Sequence, residues 1–146
     1  MGEAEYVSGK YVRFRDEPLD HVIARLAERQ HSVVALTQLR AIGVSADAAR
    51  KRADSGRFHR VHRGVYAVGH PRLTQKGRWM AAVLAYGIGA AVSHRSAAAL
   101  WGLRPDNRPK TDLSLPRPSV RPKAAIDVHR SVTLTPADVT ATLTRG

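Results

Sequence analysis

SADAARKRADSGRFHRVHRGVYAV, residues 45–68, is the stretch on which the fold turns. Ser45 is a good helix N-cap, because its hydroxyl can accept from a free N–H of the first turn. Nothing from 46 to 55 breaks a helix, and Gly56 ends it as glycine does at a C-terminus. Ala49 and Ala53 are small and one turn apart, so this helix can press against a neighbour while Asp47, Arg50, Lys51 and Asp54 point outward. Phe, Val and Tyr in 58–68 favour strands, and Arg63-Gly64 between them can make a hairpin turn. A hairpin directly after a short helix has the form of a wing.

Upstream, Leu19, Val22, Ile23, Leu26 and Ala27 recur at i, i+3, i+4, i+7 and i+8, the apolar face of an amphipathic helix, with Arg25, Glu28 and Arg29 on the other face. A second, shorter helix is expected from an N-cap at Thr37, with Leu39 and Ile42 inward and a stop at Gly43. Two short helices around a tight glycine turn, with a longer helix before them, make a helix-turn-helix. Residues 1–17 show no clear periodicity and are expected to be a flexible arm, a strand through Tyr11, Arg13 and Arg15 being the alternative.

Downstream, Gly69, His70 and Pro71 read as a boundary, so 18–70 is expected to be the winged unit and 71–146 a small α+β domain. Trp79, Met80, Val83 and Leu84 carry helical spacing, and Ser93 is the cap expected for a helix through Ala97, Leu100 and Trp101 to Gly102. Residues 111–115 and 125–130 read as strands joined by a stiff, basic connection containing Pro116, Pro118 and Pro122. The polar, Thr-rich segment 131–146 reads as loop with room for an edge strand. The fold class is therefore α+β: a winged helix-turn-helix of three helices and a hairpin wing, then two helices and two or three strands.

Bulk composition narrows the partners. With 146 residues and 43% hydrophobic content the chain can bury one core or two small ones. Lys and Arg number 24 against 12 Asp and Glu, a formal charge of +12, which attracts polyanions. No apolar run approaches the roughly 18 residues of a spanning helix, and the N-terminus lacks the apolar centre of a secretory signal. Cysteine is absent, which excludes disulfides and thiolate metal sites. A cytoplasmic setting with no membrane contact is the simple expectation.

The third helix in a major groove would offer Arg50 and Lys51 to guanine edges or phosphates, and its capped start at Ser45 could hold a phosphate. Many helices carry such a charged face merely because it is solvated, so the wing matters more. Arg57, His59, Arg60, His62 and Arg63 crowd into seven positions, where they can follow the phosphate backbone or enter the minor groove. The candidate DNA-binding set is Ser45, Asp47, Arg50, Lys51, Arg57, His59, Arg60, His62 and Arg63, and the partner is double-stranded DNA.

Other chemistry finds less support. His59, His62 and His70 lack a carboxylate or cysteine at zinc-ligand spacing. Ser93 and His94 have no third group or oxyanion donor for a nucleophile, so capping and surface roles are expected. Asp112 and Asp127 are isolated strand carboxylates, read as edge or turn residues. Trp79 and Trp101 are read as packing residues. No catalytic residue, metal or cofactor is assigned.

The run SGRFHRVHRGVYAVGHPRL and the later SHRSAAALWGL resemble the AbiEi-type antitoxin family, over about residues 19–130. The resemblance implies a winged helix-turn-helix regulator that represses its own type IV toxin–antitoxin operon, with DNA contacts at Arg50, Lys51, Arg60 and Arg63. It also implies a functional, not necessarily physical, link to a nucleotidyltransferase-like toxin. The same N-terminal half is similar to that of proteins continuing into a nuclease-like domain akin to very-short-patch-repair endonucleases. Residues 71–146 are accordingly expected to be a shortened form of a larger C-terminal domain. Two alternatives follow: the DNA-targeting half of a nuclease without its catalytic part, and a protein-interaction module.

Overall fold

The computed structural model describes residues 18–87, 89–116 and 121–131, together with the backbone of 5–7 and 10–12. Strands β1 (Glu5–Val7) and β2 (Lys10–Val12) pair antiparallel, so regular pairing occurs where the sequence shows no periodicity. Arg13 and Arg15, which only the alternative reading put on a strand, lie outside the described residues, as do Pro118 and 132–146.

Helix α1 (Leu19–Arg29) follows Pro18 and buries Ile23 and Ala27, as its apolar spacing requires. His31 and Ser32, both at positive φ, turn the chain into β3 (Val33–Ala35), all three residues of which are buried. Three apolar residues are too short a run to declare a strand in sequence. Helix α2 (Leu36–Ala41) begins at once, and its cap is not Thr37. The Gln38 side chain instead accepts from the Ala35 N–H at 3.0 Å and exchanges amide hydrogen bonds of 2.9 and 2.7 Å with Gln30. The Thr37 side chain is exposed.

Helix α3 (Ala46–Asp54) is capped as expected, with Ser45 Oγ accepting from the Ala48 N–H at 3.0 Å. Strands β4 (Phe58–His62) and β5 (Val65–Val68) form the wing, with Gly64 at φ +71 closing the turn. The sheet order is β3-β5-β4, all antiparallel, and the register shifts between Arg60 and His62. The Leu36 N–H donates to the Gly64 carbonyl at 2.8 Å, fixing the wing turn against the start of α2. The wing is thus short and docked.

Helix α4 (Gln75–Tyr86), capped by Thr74 Oγ1 accepting from the Gly77 N–H, leads to β6 (Ala91–Val92) and α5 (His94–Leu100). Strands β7 (Thr111–Leu115) and β8 (Ile126–Arg130) complete a sheet of order β6-β7-β8, with β7 and β8 parallel. The chain is α+β, a helix-turn-helix with its hairpin followed by two helices and a small sheet.

Strand alternation explains how the layers stack. Val34 and Phe58 face a core with Ile23, Leu39, Val44 and Ala49 of the helical unit. Val33 and Val65 point to the other face of the same sheet, where Ala81 of α4 packs on them. The neighbouring Ala82 faces away, joining Leu113, Leu115 and Ile126 of the second sheet. Small residues let α4 lie closely between the two sheets. A Cβ added at Gly77 would sit 3.0 Å from the His31 carbonyl oxygen, a tight contact, so glycine eases this approach to the α1–β3 turn.

Candidate nucleic-acid interface

The nine residues picked from the sequence do not form one set. On α3, Asp47, Arg50 and Lys51 are exposed and tied together: Asp47 Oδ1 receives Arg50, and Asp47 Oδ2 lies 3.6 Å from Lys51 Nζ. The carboxylate offsets part of the charge this helix presents, while holding both cations in one direction. Ser45, just ahead, is exposed and its Oγ serves the cap.

Arg57 is turned away from the wing. Its Nη1 lies 3.4 Å from Asp20 Oδ2, and Arg52 Nη2 lies 3.1 Å from Asp20 Oδ1. These two arginines bind the end of the helix-turn-helix to the first turn of α1. His59 sits half-buried opposite Ala67. His62 is also half-buried, and burial together with the charge of Lys123 lowers its pKa below the ordinary 6.5. At neutral pH it is therefore an uncharged side chain, not a further cation on the wing.

Arg60 and Arg63 are exposed and converge. They line a groove of about 410 Å³ shared with Thr37 and Arg40 of α2, Tyr66 of β5 and Leu84 of α4. Among the described residues, Arg40, Arg60 and Arg63 have no carboxylate partner. Sequence reasoning missed Thr37 and Arg40. The one local cue was that both lie on the first helix of the helix-turn-helix, and their meeting with the wing depends on the docking of its turn.

The second sheet holds a different cluster. Asp112, read from the sequence as an edge or turn residue, is only 3% exposed on β7. Arg108 Nη2 donates to its Oδ2 at 2.7 Å, and His129 Nε2 lies 3.3 Å from its Oδ1. Arg108 also grips Asp106 with two bonds, of 2.8 and 2.7 Å. Burial pushes the Asp112 carboxyl up, but hydrogen bonds from Arg108 and His129 prevail and hold it below 3.8. The Asp106 carboxyl is held far lower by its side-chain bonds to Arg108, which in turn keeps its own proton more tightly. Ser96 Oγ accepts from the Asp112 N–H at 2.9 Å, and the His94 ring stacks on His129 with centroids 3.9 Å apart.

Strand pairing explains this cluster, since β7 and β8 align Asp112 with Asp127 and Ser114 with His129. Asp127 itself is half-exposed, 3.4 Å from Lys110. Ser93 precedes α5, but its hydroxyl meets His94 Nδ1 instead of a first-turn N–H. Trp79 is buried as expected, whereas Trp101 is 54% exposed and so is not a packing residue. No group of three His, Asp or Glu side chains among the described residues is placed to hold a metal ion. No helix among them is long and apolar enough to cross a membrane.

No curated protein matches the chain. The elements that carry Asp47, Arg50, Arg60 and Arg63 do match a known family: residues 21–69, which run from the first turn of α1 through the wing, fit the model described as transcriptional regulator, AbiEi antitoxin.

Proposed function

We propose that this protein is a sequence-specific DNA-binding regulator, an antitoxin-like autorepressor of a type IV toxin–antitoxin operon. The observation that carries the reading is the match of 21–69 to a transcriptional-regulator family, over the same segment that folds as three helices and a wing. In this reading α3 enters the major groove and Arg50 and Lys51 read base edges, oriented by Asp47. Arg60 and Arg63 on the wing neutralise phosphates and set the register. Ser45, His59, His62 and Arg57 support these elements more than they touch DNA, in keeping with the cap, the half-burial and the Asp20 pair. The partner is double-stranded DNA, and the toxin linked to it would be nucleotidyltransferase-like. A cytoplasmic location follows from the same reading.

A fluorescence-anisotropy titration tests this, with the duplex upstream of the protein's own gene and a scrambled duplex of equal length. Tighter binding to the upstream duplex that persists as salt rises supports a specific regulator. Equal binding to both, lost with salt, contradicts it.

A further inference from the structure

We propose that the groove between α2, the wing turn and α4 seats the sugar–phosphate backbone of one DNA strand, with Arg40 as a third guanidinium beside Arg60 and Arg63. The inference rests on the DNA-binding reading and extends it to residues and an element outside the candidate set.

Three guanidiniums, one from α2 and two from the wing, line one groove of about 410 Å³, and none has a carboxylate partner among the described residues. Arginines left unpaired side by side repel one another, and an anion between them relieves that repulsion. The lining also suits the polymer. Thr37 supplies a hydroxyl at the rim for a phosphate oxygen, while Tyr66 and Leu84 supply the apolar surface that a deoxyribose face can cover. Leu84 belongs to α4, which lies beyond residues 21–69. The seat therefore needs the helix that follows the family-matched segment, held there by Ala81 against Val33 and Val65. The division of labour is that α3 reads sequence with cations aimed by Asp47, and the groove anchors the backbone with cations that have no competitor.

The test is anisotropy on the full chain, with upstream and scrambled duplexes over a series of salt concentrations. Arg40→Glu and Thr37→Glu alter exposed groove residues, and Arg29→Glu reverses a charge at an exposed position of α1. Circular dichroism checks that each variant folds. The expected result is that both groove variants weaken binding to both duplexes alike. The log–log salt slope of Arg40→Glu should be shallower than the parent's by about one, that of Thr37→Glu should change less, and both should keep the preference for the upstream duplex. Arg29→Glu should change much less. Groove variants that bind no worse than Arg29→Glu, while Arg60→Ala and Arg63→Ala bind weakly, overturn the seat and leave the regulator reading intact. A parent that binds neither duplex overturns the regulator reading and the seat with it. Inorganic phosphate at constant ionic strength separates polymer from free anion. Phosphate that binds the parent and not Arg40→Glu, yet leaves the parent–duplex complex intact, would assign the groove to a small anion and overturn the proposal.

Discussion

Arg108 and the trio Arg40, Arg60 and Arg63 do opposite work in this molecule. Arg108 lies between Asp106 and Asp112 and closes a network joining the 106–108 loop to β7 and β8. The Asp106 carbonyl also accepts from Gln75 Nε2 at 2.7 Å, which ties that loop to the start of α4. Arg40, Arg60 and Arg63 stand at the rim of an open groove with no such partner among the described residues. A net charge of +12 does not distinguish these uses. What separates a cation that builds the fold from one available to a ligand is whether a carboxylate already holds it. Arg50 and Lys51 fall between, exposed but aimed by Asp47.

That contrast can be broken most forcefully from the buried side. Asp112→Ala removes the buried carboxylate that meets Arg108 and His129 and is expected to cost about 1.5–3 kcal/mol in urea unfolding, the range for hydrogen bonds to charged groups. DNA binding by the folded variant should match the parent's. A variant of unchanged stability would mean the network is incidental. The carboxyls also predict an acid limb. Both are held below 3.8 in the folded protein, so their stabilisation is full above the ordinary carboxylate range and is lost as pH falls below it, through their lowered values.

Next in size is Arg50→Ala, expected to cost about 1–3 kcal/mol on the upstream duplex if its guanidinium reads a base, with little change on scrambled DNA. Asp47→Asn sharpens the comparison by making α3 resemble the groove. Freeing both cations should tighten binding to every duplex by about 0.2–1 kcal/mol, the scale of exposed ion pairs, and narrow the preference for the upstream site. Equal or weaker binding to scrambled DNA would show that Asp47 does not compete with phosphate.

The smallest effect belongs to His62. The folded protein holds it neutral below 6.5, so in that window the unfolded chain binds more protons. Its contribution is complete above pH 6.5 and lost as pH falls below it. Urea midpoints of the parent and His62→Gln should converge at high pH and separate as the solution is acidified through that window.

Local chemistry was legible in the sequence and distant chemistry was not. The spacing of Leu19, Ile23 and Leu26, the Ser45 cap and the Arg63-Gly64 turn each rest on neighbours within a few positions, and each is found where it was read. The three residues of β3 and two of β6 are too few to show a period. At the start of α2 the N-cap is Ala35, whose N–H meets Gln38, and Gln38 in turn pairs with Gln30, eight positions away. Arg57 lies in the basic run that marks the wing, yet its partner is Asp20, 37 positions earlier. Asp112 reads as a lone carboxylate until β8 places His129 beside it. The candidate site was legible as a list of cations. Which of them stay available is settled by pairings across the fold.

The most direct measurement is the ratio of affinities for upstream and scrambled duplexes, taken with the parent, Arg50→Ala and the Arg60→Ala, Arg63→Ala double variant at two salt concentrations. The account predicts that Arg50→Ala lowers the ratio and leaves the salt slope nearly unchanged. The double variant should keep the ratio and make the slope shallower by about two. A ratio that falls in the double variant and holds in Arg50→Ala would contradict the assignment of reading to α3 and anchoring to the wing.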